Sequence, residues 1–308
     1  MEKPTVIVIC GPTASGKTAL SIELAKKING EIVSADSMQI YKDMDIGSAK
    51  VTKDEMDGIK HYLIDIVSPD ERYSVADYKK AAKAAIKEIL EKSKIPIIVG
   101  GTGLYVDSLI YEIEYNNIKI DEEYRQLLKS IKENEGLEKL YEMAQEIDPE
   151  AMKKISKNDY KRISRVLEIY HETGKTKTQQ EAESRLKEIP YNYKVFAIDY
   201  ERKKLYDRIN KRVDIMIENG LIKEVQNLLN KYEEFPTAMQ GLGYKEVKQY
   251  LENQISKEEM IEKIKQESRR YAKRQITWFK KNDNTIWING LNSISENIKI
   301  IMEESNIG

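Results

Sequence analysis

Residues 11–18 read Gly11-Pro12-Thr13-Ala14-Ser15-Gly16-Lys17-Thr18, a complete G-x-x-x-x-G-K-[ST] phosphate loop. Gly11 and Gly16 let the backbone curl so that successive N–H groups face one anion. Lys17 sets a positive charge over that anion, and Thr18 offers a hydroxyl to Mg²⁺. The chemistry expected of these eight residues is the grip of a pyrophosphate or polyphosphate, the use that ATP-binding proteins make of the motif. A second reactive group is the isolated carboxylate Asp36, in Ser34-Ala35-Asp36-Ser37-Met38-Gln39. It could serve as a general base or hold Mg²⁺ through water, and it could equally cap a turn. The single cysteine, Cys10, excludes an internal disulfide framework and a cysteine-rich zinc site, and reads as a small buried residue.

The elements around these residues must bring them to one edge. Val6-Ile7-Val8-Ile9-Cys10 is an apolar run that reads as a strand feeding the loop, and a helix begins near Lys17. Glu31–Ala35 reads as a second strand, which puts Asp36 to Gln39 at a strand's carboxyl end, where open α/β sheets bind ligands. Further strands are expected at 61–66, 95–99, 193–199 and 285–288. From Ser74 to Glu91, Val75, Tyr78, Ala82, Ala85, Ile86 and Ile89 recur at three- and four-residue spacing, which predicts an amphipathic helix. Helices are also expected from Leu104 and over 202–218, 220–230, 242–252 and 257–280. Alternating strands and helices predict an α/β fold, a P-loop NTPase-like parallel sheet flanked by helices. Between Asp121 and Ser184 the pattern is helical without a convincing strand. The expected organisation is therefore a discontinuous core, 1–112 plus 190–308, with an all-helical domain inserted at 113–189.

The chain has 308 residues, of which 40% are hydrophobic, enough for a sizeable core. Its 51 basic and 52 acidic residues nearly balance, so only local charge is informative. Ala151 to Arg165 carries six basic residues against one acid, and 191–281 carries 20 against 14, ending in Arg269, Arg270, Lys273, Arg274, Lys280 and Lys281. Attraction to a phosphate backbone would account for both, although a solvated lysine-rich face is the plainer reading of charge alone. Tyr271, Trp278 and Phe279, set among those bases, could stack on nucleotides, and the last two could equally be core. Neither an apolar leader at Met1-Glu2-Lys3-Pro4 nor a stretch of about 18 apolar residues is present, so cytoplasmic placement without membrane attachment is expected.

A phosphate-loop hydrolase adds an acid at the tip of a neighbouring strand to hold its metal and water. Here the strand at 95–99 runs into Gly100-Gly101-Thr102-Gly103, and only Asp65 offers a substitute. The loop is therefore expected to bind a phosphate chain without hydrolysing it.

Further motifs accompany the loop in order: Ser-Ala-Asp-Ser-Met-Gln-Ile-Tyr at 34–41, Asp-Ile-Gly-Ser-Ala-Lys at 45–50, and Gly-Gly-Thr-Gly-Leu-Tyr at 100–105. Then come Asn158-Asp159 with Arg162-Ile163-Ser164-Arg165-Val166-Leu167-Glu168, Gly243-Tyr244-Lys245-Glu246, Tyr271-Ala272-Lys273-Arg274-Gln275 and Thr277-Trp278-Phe279. Together they resemble the tRNA dimethylallyltransferase family in its bacterial form. Ser48 stands where threonine is usual and Leu242 where isoleucine is common, both mild departures.

The resemblance implies transfer of a dimethylallyl group from dimethylallyl diphosphate to the N6 amine of the adenine 3′-adjacent to the anticodon. The loop would hold the diphosphate as a leaving group with Lys17 and Mg²⁺, Thr18 being the metal's side-chain ligand. Asp36 matches the family's catalytic aspartate, and Thr102 a position near the reacting centre. Arg208, in Arg202-x-x-x-x-x-Arg208-x-x-x-Arg212, resembles the family's basic helix and is assigned to the diphosphate; Arg208 and Arg212 would share a helix face. The adenine would flip into a channel lined by Asp36, Ser37, Met38 and Gln39. Tyr160, Lys161, Arg162, Ile163 and Ser164, with Gln240, Gly243, Tyr244, Lys245 and Arg274, would hold the anticodon stem-loop, and the enzyme is taken to act as a monomer. Prenylation of free adenine nucleotides, a small-molecule kinase and a non-catalytic RNA-binding protein remain alternatives.

Overall fold

The computed structural model describes residues 3–113, 121–186 and 188–307. Two compact units are present, one of Met1–Ile110 with Pro190–Gly308 and one of Tyr111–Ile189. Positions 114–120 and 187 of the expected insertion lie outside the described residues.

In the first unit β1 (Thr5–Cys10) leads through the phosphate loop to α1 (Lys17–Ile28). There follow β2 (Gly30–Ser34), α2 (Lys53–Met56), β3 (His61–Tyr62), α3 (Val75–Glu91), β4 (Ile95–Gly100) and α4 (Gly103–Ile110). The second unit supplies α5 (Glu122–Asn134), α6 (Leu137–Ile147), α7 (Pro149–Met152), α8 (Tyr160–Thr173) and α9 (Lys177–Arg185). The chain returns to the first unit with β5 (Asn192–Asp199), α10 (Arg202–Glu218), α11 (Leu221–Lys231), α12 (Tyr244–Leu251), α13 (Lys257–Phe279), β6 (Ile286–Asn289) and α14 (Ile294–Ser305).

All six strands are parallel, in the order β3-β2-β4-β1-β5-β6. Because side chains alternate across a strand, each strand feeds two cores. Val6, Val8 and Cys10 join Val33, Ile98 and Ala197 against α3 and α4. Ile7 and Ile9 join Ile32, Ile97, Phe196 and Ile198 against α1 and α14. The expected stripe of α3 (Tyr78, Ala82, Ala85, Ile86, Ile89) is buried as a set. Ser74 and Asp77 cap that helix reciprocally, an arrangement that contributes about 1 kcal/mol. Cys10 is fully buried, and burial pushes its thiol pKa up, in keeping with packing.

A third core joins α10–α13 to the segment after β2: Ile40, Tyr41 and Met44 pack with Val213, Leu221, Val225, Tyr244 and Ile264. These helices roof the carboxyl edge of the sheet, where the phosphate loop and Asp36 emerge. β4 lies between β1 and β2, so the two tips share an edge without being neighbours.

Three local expectations change. The strand at 61–66 stops at Tyr62 because Leu63 (φ 62°) and Asp65 (φ 56°) turn into the left-handed region. The short helix α2 and the terminal helix α14 were not anticipated, although each carries a capping box, Thr52 with Glu55 and Ser293 with Glu296. No helix among the described residues is long and apolar enough to cross a membrane.

The second unit is held by Leu128, Leu140, Ala144, Met152, Ile163, Val166 and Leu167. Asp148 caps α7 through the Ala151 N–H and also accepts from the Thr178 N–H (2.8 Å) and Oγ1 (2.6 Å), tying α7 to α9.

Candidate active site

A cleft of about 350 Å³ opens at the carboxyl edge of the sheet, within the first unit. Lys17, Thr18, Asp36, Gln39, Arg212, Tyr271 and Gln275 line its polar part, and Ile209, Val213, Met216, Leu242 and Ile264 its apolar part. A larger surface groove between α1 and α14, about 1170 Å³, contains none of the phosphate-loop residues. Chemistry therefore belongs to the smaller cleft, which combines an apolar wall with convergent polar groups.

Gly16, at φ 88°, adopts a backbone that side chains disfavour, and this left-handed residue turns the loop into α1. Gly11, Pro12 and Ser15 are buried beneath it. Lys17 Nζ donates to the Pro12 carbonyl at 2.7 Å. Desolvation and the nearby Arg212 guanidinium lower its pKa to about 8, against the opposing charge of Asp36. Thr18 is exposed on the first helical turn and lines the cleft.

Asp36 begins a tight turn in which Oδ1 accepts from the Met38 N–H (2.9 Å) and the Gln39 N–H (3.4 Å). Oδ2 meets no protein donor among the described residues. The turn is fixed from the side by Thr102, whose Oγ1 accepts from the Ser37 N–H at 3.0 Å and donates to Ser37 Oγ at 3.3 Å. Thr102 thus braces the turn that carries Asp36, and its side chain also meets that of the cleft-lining Tyr271. Gln39 Nε2 donates to the carbonyls of Ala49 (3.2 Å) and Ser48 (3.5 Å).

The two arginines of α10 separate in role. Arg208 Nε donates to the Ala14 carbonyl at 2.7 Å and its guanidinium lies 5.2 Å from the Tyr200 ring, so it clamps the phosphate loop from outside. Arg212, one turn on, lines the cleft with Lys17 and Asp36. The expectation gave the diphosphate to Arg208; packing instead puts Arg212 on the cleft wall and Arg208 against the backbone of the phosphate loop.

Gln275 is the residue that sequence reasoning passed over. Only 5% exposed, it accepts from the Thr13 N–H at 2.8 Å and donates to the Gly101 carbonyl at 2.9 Å, joining the phosphate loop to the turn after β4. Its presence in the Tyr271-Ala272-Lys273-Arg274-Gln275 motif was the available signal. Tyr271 lines the cleft, and burial together with the Asp36 charge pushes its phenol up to about 12, so it stays a donor at neutral pH.

The residues expected to hold RNA divide by burial. Gln240, Lys245 and Arg274 are exposed in the first unit, and Lys161 and Arg162 in the second, with Tyr160 half-buried. Ile163 (0% exposed) and Ser164 (6%) instead face inward on α8, Ile163 packing in the helical core. Tyr244 is likewise fully buried, and the Gly243 N–H is held by Glu246 Oε2 at 2.9 Å. In this structure these four serve packing and loop shape, as follows from which helix face the neighbouring elements cover. The basic run on α7–α8 is also partly compensated: Lys153 meets Glu150, Lys157 meets Glu138 and Arg165 meets Glu168. The two exposed lysine pairs are worth about 0–1 kcal/mol each and exchange readily for phosphate. Phe279 is core, and Trp278 is occupied, with Nε1 donating to Asp107 at 2.8 Å. Asp65 pairs with Lys50, which removes the one substitute for a hydrolase's metal-holding acid.

The IPP transferase family model matches residues 39–282. The chain is 52% identical to the tRNA dimethylallyltransferase of Caldanaerobacter subterraneus subsp. tengcongensis, covering 92% of this chain and 90% of that one. It is 53% identical to the enzyme of that name from Acetivibrio thermocellus, with 92% and 91% covered. Among solved structures, the tRNA delta(2)-isopentenylpyrophosphate transferase of Staphylococcus epidermidis superposes with a TM-score of 0.73 at 46% identity, over 99% of both chains. A eukaryotic dimethylallyltransferase acting on tRNA superposes with a TM-score of 0.83 at 29% identity, over 99% of this chain and 79% of that one. A phosphate loop, the Asp36 carboxylate and an apolar wall thus line one cleft of a chain that belongs to the IPP transferase family, the tRNA dimethylallyltransferases.

Proposed function

We propose that the protein transfers the dimethylallyl group of dimethylallyl diphosphate to the N6 amine of the adenine 3′-adjacent to the anticodon of tRNA, releasing diphosphate. The observation that carries this reading is the cleft itself, which sets Lys17, Arg212 and the loop N–H groups beside Asp36 and an aliphatic wall. In the reaction the bond between the allylic C1 and the diphosphate oxygen breaks, and the electron pair leaves with the diphosphate. The N6–C1 bond forms, and the proton that N6 then carries passes to Asp36 Oδ2. N6 becomes acidic only as that bond develops, and the carboxylate accepts its proton at that stage.

Lys17, Arg212 and the loop amides hold charge on the leaving group, in a setting that strengthens each interaction. Ile209, Val213, Met216 and Ile264 shield the allylic carbon from water, which would otherwise capture it. Mg²⁺ fits the donor chemistry, because Thr18 Oγ1 is a hard oxygen ligand on the cleft beside the phosphate loop. When bound it would neutralise charge on the diphosphate. The adenine must leave the loop stack to reach Asp36. Lys161 and Arg162 on α8, and Gln240, Lys245 and Arg274 in the first unit, carry exposed polar and charged groups suited to the stem-loop backbone, with the half-buried Tyr160 at the start of α8.

The test is single-turnover transfer with Asp36→Asn, which keeps an acceptor for the Met38 and Gln39 N–H groups and loses the base. We expect the rate to fall by about 10²–10⁴-fold with inorganic diphosphate affinity little changed. A wild-type rate would remove Asp36 from the proton transfer.

A further inference from the structure

Glu224 lies on α11 outside the cleft, yet its carboxylate is fully engaged in holding a cleft-lining loop. Oε2 accepts from the N–H groups of Asp45 (2.9 Å) and Ile46 (2.7 Å), and Oε1 accepts from the Gly47 N–H (3.1 Å) and the Tyr244 hydroxyl (2.8 Å). Three successive backbone donors converging on one carboxylate form an anion nest, here filled by the protein's own side chain. The Tyr244 ring closes over Gly47, where an added Cβ would fall 2.5 Å from the ring. The far end of the same loop is pinned by Lys50, whose Nζ donates to the Tyr41 carbonyl (2.8 Å) and Asp45 Oδ1 (2.6 Å).

This matters because the next two carbonyls of the loop enter the cleft. Those of Ser48 and Ala49 receive the Gln39 amide, and that of Ser48 also receives Arg212 Nη2 at 3.5 Å. We infer that Glu224 is a positioning residue of the reaction: by fixing residues 45–47 it sets the two carbonyls that orient Arg212 toward the diphosphate and Gln39 toward the flipped base. A glutamine there would turn an amide N–H₂ toward backbone N–H donors. The loop would then shift, and the two cleft side chains would lose their register.

The inference rests on the proposed reaction, and two readouts keep the two apart. For Glu224→Gln, the KM for dimethylallyl diphosphate and the Kd for inorganic diphosphate should both rise by between about tenfold and a hundredfold, per folded molecule. Val225→Ala is the control. Val225 is fully buried in the core that α11 shares with α12, so its truncation lowers stability while leaving both constants unchanged. Unchanged constants in Glu224→Gln, or an equal rise in Val225→Ala, would overturn the positioning role. Should Glu224→Gln fail to fold, Tyr244→Phe removes only the phenol's hydrogen bonds, to Glu224 and to the Ser48 backbone of the same loop. It should raise the diphosphate Kd by about two- to fivefold, and a wild-type value would overturn the inference. Absence of transfer by the wild-type enzyme would overturn the reaction instead, leaving the diphosphate Kd as the measure of this role.

Discussion

The Lys17 ammonium illustrates how a charge tuned by its surroundings acquires a pH signature. Its pKa falls from 10.5 to about 8 through desolvation and the Arg212 charge. Below that value the free protein carries the charge that a diphosphate needs; above it the ammonium must first regain a proton. On top of the ligand's own titration, Lys17 should therefore add no pH dependence to inorganic diphosphate affinity below about pH 8 and a fall of about tenfold per pH unit above it. In Lys17→Arg this added slope should vanish, since a guanidinium stays charged. Isothermal titration across pH 6.5–9.5 measures both, and identical slopes would contradict the assignment. At this scale much of the site was legible. The phosphate loop and Asp36 are contiguous with the strands that present them, so local pattern was enough. Arg212 and Glu224 were not legible, because their roles depend on contacts with Ser48 and with residues 45–47, more than 160 positions away in sequence.

Among the elements, α13 does the joining. Its buried Gln275 links the loop after β1 to the turn after β4, and Trp278, one turn later, packs on Gly103, where an added Cβ would lie 2.3 Å from the indole. Gln275→Leu leaves the Thr13 N–H and the Gly101 carbonyl without partners, at a cost of about 1–3 kcal/mol for each buried group. Thermal unfolding should show the loss, and diphosphate affinity should fall with it. Retained stability with normal affinity would mean that the two loops hold their places unaided. Most helices were readable from apolar spacing, since their stripes are the faces buried in the structure. The face each helix presents was not. Ile163 and Tyr244 belong to motifs that looked like RNA contacts, and they are core because α5, α6 and α11 cover them. The strand expected at 61–66 failed for a backbone reason, the positive φ of Leu63 and Asp65, which an apolar pattern does not reveal.

For the molecule as a whole, a sheet-based unit carries the cleft and a helical unit presents exposed bases on α8. The alternation of strands and helices predicted the parallel sheet, whereas its order did not follow, because nothing local places β4 between β1 and β2. If Lys161 and Arg162 meet phosphates, replacing both by alanine should weaken tRNA binding. It should also reduce the slope of log K against log salt by about 1.4–1.8, leaving diphosphate affinity unchanged. An unaltered slope would place the RNA elsewhere. The central claim, that the diphosphate cleft serves an RNA acceptor, is tested most directly by offering the protein labelled dimethylallyl diphosphate and Mg²⁺ with an unmodified anticodon stem-loop, and in parallel with free AMP. Label is predicted in the stem-loop and not in AMP; label in AMP alone, or in neither, would contradict the account.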